Sequence, residues 1–366
     1  MKKKNLEENL FFVVSGEHPT LPSAEVKAIL EAEGFRYRVQ EESLKLFRAR
    51  VSPRCLDEVS ARSTMFETCG IEIFKCENDL KTILDKACQT DFTALINSNE
   101  SFAVRVMRIG GASKHLRSVY LEREIGSIIL NQVKSARISL GAPSKSFLGI
   151  INEESFLLGL VRQSRRRGIL AARRPRKRPF FHPATMPPKL ARCMVNLARP
   201  RRGDFLLDPF CGAGGLLIEA GLIGCRIAGC DVSLKMVRGS SMNLKFFNIE
   251  PLGVFLSDAR KPPLVYAERI VTDPPYGRGA STLKTTTESL LQEFLPIAYG
   301  LLPRMGFMSI ASPKSIGVAE LAKDAGFELL NSTLFLEDFL PKKGTLTAQE
   351  PDFSLWEDIY FGLDLA

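Results

Sequence analysis

Histidine is scarce in this chain of 366 residues: there are three, His18, His115 and His182, beside a single tryptophan. The eight cysteines, Cys55, Cys69, Cys76, Cys88, Cys193, Cys211, Cys225 and Cys230, include no C-x-x-C pair. Without that spacing and without a histidine array, neither a zinc module nor a disulfide framework is expected. Long apolar runs are also missing. The first, Leu10 to Val14, follows Glu7 and Glu8 and is too short for the core of a secretory signal. No stretch approaches the roughly 20 apolar residues that span a bilayer. Free thiols suit a reducing compartment, so the expectation is a soluble, cytoplasmic protein with no membrane partner.

Acidic residues are absent from 162–178, RQSRRRGILAARRPRKR, which holds eight arginines and Lys177. Removing those nine from the 50 basic residues leaves 41, equal to the 41 acids, so the net charge of +9 comes from one segment. A solvated linker would carry both signs, whereas a single sign favours a phosphate-binding strip. Elsewhere the composition is ordinary. With 45% apolar and 25% charged residues, wholesale disorder and fibrous folds are excluded. The length suits two or three domains of about 100 to 200 residues.

Before the strip, short strands and helices alternate. Leu10 to Val14 is apolar throughout, Pro22 and Ser23 open a helix with Val26, Ile29 and Leu30 on one face, and Leu44 to Val51 alternates as a strand does. A second unit starts with the strand Phe102 to Ile109, whose apolar run Arg105 and Arg108 interrupt. It continues with a helix carrying Leu121, Ile125, Ile128, Ile129 and Val133, then strands at Phe147 to Ile151 and Phe156 to Leu160. After the strip the pattern becomes strand, glycine turn, helix, repeated, which predicts a parallel sheet with helices on both faces. The predicted strands Phe205 to Asp208, Arg226 to Asp231, Val254 to Asp258 and Ile270 to Asp273 all end in aspartate. In such sheets the ligand lies at the carboxyl ends of the strands.

Asp208-Pro209-Phe210-Cys211-Gly212-Ala213-Gly214-Gly215 joins the first of these strands to a helix. Its glycines let the backbone turn tightly and approach a ligand, and the helix N-terminus offers free N–H groups. Asp231 ends the next strand 19 residues after Gly212, where a carboxylate accepts from ribose hydroxyls. Asp258 ends the third, within reach of an adenine amino group. Each aspartate taken alone also suits a helix cap or a turn; together they point to an adenosine-bearing cofactor. The fourth strand runs into Asp273-Pro274-Pro275-Tyr276-Gly277. The prolines fix the backbone, so the Asp273 carboxylate and Pro274 carbonyl can accept from an exocyclic NH2 while Tyr276 stacks on a planar base.

The order DPFCGAGG, GCD, SDA, DPPYG resembles the S-adenosylmethionine-dependent amino-methyltransferases. DPPY is common to adenine-N6 DNA and guanine-N2 RNA enzymes, so the flanks decide. Phe180-Phe181-His182-Pro183 and Pro188 to Ala198 resemble the helix that covers the cofactor in tRNA guanosine-N2 methyltransferases. FAVRVMRI with its helix is similar to a THUMP domain, and FFVVSGEHPTLPSAEVKAIL to the N-terminal ferredoxin-like unit of the archaeal tRNA guanosine-10 N2-(di)methyltransferases. The resemblance implies an α/β fold in four parts: a ferredoxin-like unit over 1–75, a THUMP RNA-binding domain over 76–161, an arginine-rich linker over 162–180, and a doubly wound, Rossmann-like methyltransferase domain over 181–366. It implies that Asp208, Cys211, Gly212, Gly214, Asp231, Asp258 and His182 hold S-adenosylmethionine and that Asp273, Pro274 and Tyr276 hold the base. Arg105, Arg108, Arg173, Arg174, Arg176 and Arg178 are the expected RNA contacts. No metal is implied.

The implied reaction is in-line displacement, with the guanine amine positioned by Asp273 and the base extruded from its stem. tRNA is the expected partner and DNA is not. The rival readings are a sister THUMP methyltransferase acting on another guanosine of the tRNA acceptor region, an adenine-N6 DNA methyltransferase, and a non-catalytic RNA-binding protein. Eukaryotic relatives use a small zinc-binding activator protein, and the residues leave that partner open, as they leave open one methylation or two.

Overall fold

The computed structural model describes residues 6–111, 113, 115–165, 168–275, 286–313, 316–335 and 358–364, with side chains omitted for 330–335 and 358–364. Its elements in chain order begin with β1 (Glu8–Val14), α1 (Leu21–Ala32), β2 (Tyr37–Ser43), β3 (Leu46–Val51), α2 (Cys55–Arg62), β4 (Phe66–Glu77) and α3 (Leu80–Gln89). They continue with β5 (Ser101–Arg108), α4 (Ser118–Gln132), β6 (Arg137–Ile138), β7 (Lys145–Ile151), β8 (Ser155–Ser164), α5 (Ile169–Ala172) and α6 (Pro188–Leu197). The remainder is β9 (Phe205–Asp208), α7 (Gly215–Ile223), β10 (Arg226–Asp231), α8 (Leu234–Phe246), β11 (Gly253–Leu256), β12 (Arg269–Thr272), α9 (Thr287–Leu301), β13 (Phe307–Ser312), α10 (Val318–Asp324), β14 (Glu328–Phe335) and β15 (Asp358–Asp364).

These elements form two compact units that do not follow the chain linearly. One comprises Met1–Ser15, Phe35–Ser60 and Phe66–Arg165; the other comprises Gly16–Gly34, Ala61–Met65 and Arg166–Ala366. The boundary expected between residues 75 and 76 falls within β4. In the first unit an eight-stranded sheet runs β2-β3-β1-β4-β8-β7-β5-β6. β4 pairs antiparallel with both β1 and β8, so its ladder hydrogen bonds join the two halves that the sequence suggested were separate. At Gly159 an added Cβ would stand 2.2 Å from the Phe11 ring; the missing side chain is what lets that buried phenyl lie on the sheet.

In the second unit the sheet order is β11-β10-β9-β12-β13-β15-β14, parallel from β11 to β13 and antiparallel through β15 and β14. Alternation along each central strand feeds two cores. Leu206, Ile227 and Val271 face one cluster with Leu190, Met194 and Leu217, while Phe205, Leu207 and Ile270 face the other with Phe294 and Leu295. A period of two with both faces buried is the expected grammar of a doubly wound sheet. β9 and β12 are neighbours from different halves of the chain order, which makes the crevice at their carboxyl ends the topological switch point.

Helix α1 belongs to this second unit. Pro22 in its first turn preorganises it, and the buried His18 accepts the Thr20 and Leu21 N–H groups through Nδ1 at 3.2 and 3.1 Å. Leu21, Ala24 and Ala28 join the core that contains α6. Between them Glu25 is wholly buried and accepts from Ser63 Oγ at 2.6 Å, the N–H groups of Thr64 and Met65 at 3.1 and 2.9 Å, and Asn196 Nδ2 at 2.8 Å.

Candidate active site

β9 delivers Asp208 to the switch point, and the chain then turns through Gly212 and Gly214 into α7. Both glycines have positive φ, 48° and 79°, where a side chain would be strained. They differ in surroundings. A Cβ on Gly214 would meet Ser240 Oγ at 2.5 Å, so this glycine serves packing against α8, whereas a Cβ on Gly212 would meet nothing within 4 Å. The open side of the loop is at Gly212. The turn is held by Gly214 N donating to the Cys211 carbonyl (2.8 Å) and Cys211 N donating to the Cys230 carbonyl (2.8 Å). The Cys211 thiol is buried, which raises its pKa well above the usual range and keeps it a neutral packing group.

Asp231 sits at the end of β10 with its carboxylate turned back on that loop. Gly212 N donates to Oδ2 at 3.0 Å and Ser233 N to Oδ1 at 2.8 Å. Each oxygen keeps a lone pair for a further donor. Burial pushes its pKa up, against the pull of the two N–H bonds and of the nearby His182. His182 is partly exposed, with its carbonyl accepting from Thr185 N at 3.1 Å.

Asp208 departs from its expected place. It is 1% exposed, and its Oδ1 accepts from Thr272 Oγ1 at 2.8 Å and from Phe210 N at 3.2 Å. Burial lifts its pKa to about 7, with the Thr272 hydrogen bond opposing. The carboxylate therefore supports the loop from beneath, because β9 and β12 run side by side and bring Thr272 against it. Asp258 lies two residues beyond β11 and is gripped by Arg260, whose Nη2 donates to Oδ2 at 2.7 Å and whose backbone N donates to Oδ1 at 2.9 Å. That side-chain hydrogen bond holds the Asp258 carboxyl below its ordinary range. Asp273 is half-buried and Pro274 buried, and the Pro275 carbonyl accepts from Thr287 Oγ1 (3.0 Å) at the start of α9. Tyr276 lies outside the described residues.

Two supporting residues are not evident from the sequence motifs. Thr272 precedes the Asp-Pro-Pro turn directly, which is the one available signal. Asn243 of α8 is buried and donates from Nδ2 to the carbonyls of Ala213 (2.9 Å) and Phe180 (3.0 Å), pinning the glycine loop to the chain before α6. Nothing in its local sequence marks it.

The arginine strip divides. Arg174 and Arg176 are exposed, but Arg173 and Arg178 are buried. Arg173 Nη1 donates to Glu219 Oε2 at 2.7 Å, and Arg192 Nε reaches the same oxygen at 2.8 Å. Of the expected phosphate contacts, Arg173 and Arg178 are thus buried: Arg173 answers the Glu219 carboxylate on α7, and Arg178 donates its Nε to the Arg173 carbonyl at 3.1 Å. Arg105 is exposed, with Nη2 donating to the Leu140 carbonyl at 3.3 Å. Arg108 donates to the carbonyls of Ser113 and Leu116, each at 2.5 Å, and shapes that loop. Among the described residues no cluster of three or more His, Cys, Asp or Glu could hold a metal ion, and no helix is long and apolar enough to cross a membrane.

Residues 175–333 match the family described as RMKL-like, methyltransferase domain. The chain is 37% identical over 320 residues to the tRNA (guanine(10)-N2)-dimethyltransferase of Methanothermobacter thermautotrophicus, covering 85% of this chain and 91% of that protein. It is 34% identical over 329 residues to the enzyme of the same name from Methanocaldococcus jannaschii, covering 83% and 91%. Among solved structures, TrmN from Thermus thermophilus superposes with a TM-score of 0.53 at 21% identity, over 98% of this chain and 100% of that one. SMU.472 in complex with SAH gives 0.52 at 14% identity, over 100% and 99%. Both share the fold.

Proposed function

The chain belongs to the tRNA (guanine(10)-N2)-dimethyltransferase family, and we propose that it methylates the exocyclic amine of guanosine 10 twice, giving N2,N2-dimethylguanosine in tRNA. It is an S-adenosylmethionine-dependent tRNA guanine-N2 methyltransferase. The observation that carries the site assignment is the bond between Thr272 and Asp208, which brings the glycine loop and the Asp273-Pro274 turn to one crevice.

The residues present fit the cofactor. Gly212 leaves open space where a side chain would stand, Asp231 keeps acceptor capacity beside it, and α7 begins at Gly215 with its free N–H groups. When bound, S-adenosylmethionine supplies a methyl group on a sulfonium. Asp231 would accept from the ribose hydroxyls, and the Gly212 to Gly215 backbone would line the ligand. Asp258, already ionised by Arg260, offers its remaining lone pairs to the adenine amino group.

The guanine amine is a poor nucleophile because its lone pair is delocalised into the ring. Asp273 and the Pro274 carbonyl accept its two N–H bonds, turn the nitrogen toward the methyl group and stabilise the positive charge that grows on it. Buried Pro274 and the Thr287 bond to Pro275 keep that turn from relaxing. The first transfer would release the thioether S-adenosylhomocysteine, and the proton shed by the alkylated nitrogen would pass to Asp273 and on to solvent; the amine keeps one N–H, so the same acceptor can orient it again. Tyr276 is assigned the stacking role that offsets part of the extrusion of the base.

Arg174, Arg176 and Lys177, all exposed, are assigned to RNA phosphates in the one unit, and exposed Arg105, among the residues assigned as a THUMP domain, is assigned to them separately in the other. The setting is the cytoplasm. The test is to incubate the purified chain alone with unmodified tRNA and S-adenosylmethionine and identify the product by nucleoside mass spectrometry. N2-methyl- and then N2,N2-dimethylguanosine at position 10 is expected. Methylation at another nucleotide or on adenine overturns the reading, and turnover appearing only with a zinc-binding protein added assigns that activator.

A further inference from the structure

Residues 173–178 form a loop that closes on itself. Pro175 fixes its own φ at the start of a 3-10 turn over Pro175–Lys177; Lys177 N donates to the Arg174 carbonyl at 2.9 Å and Arg178 N to the Pro175 carbonyl at 3.1 Å. Arg178 Nε donates to the Arg173 carbonyl at 3.1 Å and joins the two ends. Those ends and the middle have opposite fates. Arg173 and Arg178 are buried, whereas Arg174, Arg176 and Lys177 between them are exposed.

The buried ends gather at Glu219 of α7, which is 0% exposed. Its Oε2 accepts from Arg173 Nη1 at 2.7 Å and from Arg192 Nε of α6 at 2.8 Å. Arg178 lies along the same face of α7, with Nη1 3.7 Å from where a Cβ on Gly215 would stand, one helical turn before Glu219. Burial lowers the Arg178 pKa to about 10 and the Glu219 charge opposes that fall, so the group is a cation at neutral pH. Glu219 Oε1, Arg173 Nε and Arg178 Nη1 and Nη2 make no hydrogen bond among the described residues. Arg178 is thus held toward the carboxylate by charge, while Arg173 is held by a direct bond. A buried ion cluster of this kind is a poor source of net stability, because taking its charges out of water offsets their attraction. What it supplies is direction.

We infer that Glu219 is a positioning residue for tRNA: it staples both ends of the 173–178 loop to α7 and so presents Arg174, Arg176 and Lys177 at fixed spacing to RNA phosphates. This deepens the phosphate reading of those three residues given above and rests on it. The gain is preorganisation. Basic side chains on a slack segment lose freedom when they bind, whereas a loop already set has part of that loss behind it. Glu219, shut away from solvent, acts on RNA only through the loop.

Filter binding of unmodified tRNA to the full chain, without cofactor and across a salt series, tests this at a temperature where circular dichroism shows each variant folded. Charge alone predicts that Glu219→Gln, which removes an acid, binds RNA more tightly. The staple predicts the opposite sign: affinity falls about three- to tenfold, with the log–log salt slope unchanged because the same cations meet the same phosphates. In a chain that already carries Arg174→Gln, Arg176→Gln and Lys177→Gln the fall disappears, since nothing is left to position. Affinity equal to or tighter than wild type overturns the proposal. So does a fall of the same size in both backgrounds, which is the mark of a general loosening of the fold. Glu219→Asp keeps the charge but draws it back by one methylene; it should show a smaller fall in the same direction, and it decides should Glu219→Gln not fold. If the three Gln substitutions by themselves leave tRNA affinity and slope unchanged, the phosphate reading falls and takes this one with it. If they weaken binding while Glu219→Gln does not, this inference alone falls.

Discussion

Thr272 donates its hydroxyl to Asp208 Oδ1 at 2.8 Å, and both residues are buried. The bond ties the end of β9, where the glycine loop starts, to the end of β12, where the Asp273-Pro274 turn starts. Thr272→Val preserves shape and removes the donor. The expected result is a loss of about 1–3 kcal/mol of stability and a fall in kcat of about tenfold or more with little change in the KM for S-adenosylmethionine, because the turn carrying Asp273 loses its anchor while the Gly212 and Asp231 contacts remain. Steady-state kinetics and urea unfolding check both.

Asp208 also makes stability depend on pH. Its carboxyl titrates near 3.8 in an unfolded chain and at about 7 in the fold, raised by burial. Between those values the folded protein holds a proton that the unfolded chain has released. The contribution of this group is therefore most favourable below about pH 4 and is lost as pH rises to about 7. Asp208→Asn removes the dependence, so the stability of wild type relative to the variant should fall across that window by a few kcal/mol. Urea midpoints of both proteins from pH 4.5 to 7.5 measure it, and parallel curves would sink the account.

Asp273→Ala should bind tRNA with near wild-type affinity and lose roughly 100-fold or more in turnover, the scale set by removing one group that stabilises developing charge. Filter binding and single-turnover methylation separate the two effects. Near-normal turnover would remove Asp273 from the mechanism.

Replacing Arg174 and Arg176 by Gln, both exposed, should weaken tRNA binding and flatten its log–log salt dependence by roughly one to two, about one unit for each phosphate no longer neutralised. Arg173→Gln should behave differently. It leaves Glu219 with one fewer buried partner, so its main effect is a lower melting temperature with the salt slope intact.

Glu25 accepts from side chains and N–H groups of residues 63–65 and from Asn196, 171 positions along the chain. Glu25→Ala leaves these buried donors unanswered and should cost about 3–5 kcal/mol, read as a lower melting temperature. A fragment starting at residue 162 lacks α1 altogether and should be less stable than the full chain, since Leu21, Ala24 and Ala28 complete the core around α6.

Much of the crevice is legible in the sequence because its signals are local. Phe205–Asp208 and Arg226–Asp231 form strands over the apolar runs that predict them, and Gly212 and Gly214 occupy the positive φ that glycine permits. The strip at 162–178 stands out as one object because its residues share a sign. The fate of each arginine is not legible, since Arg173 answers Glu219, 46 residues away, and Arg174 beside it is exposed. Asp258 and Asp208 look alike as strand-end carboxylates. One is held ionised by the arginine two residues on, and the other is sealed beneath a loop by a threonine 64 residues away.

The sequence by itself determined the order of strands and helices, the tight turns, the chemistry available at the strand ends and the location of the excess charge. Backbone preference and the two hydrophobic periods act over a few residues, so they can be read without a partner in view. Only the tertiary structure decided which carboxylates are partly exposed and which are sealed beneath the loop, which arginines reach solvent, and that α1 belongs with α6. Each of those turns on burial, and whether a charged group is buried depends on neighbours that the chain brings from far along its length.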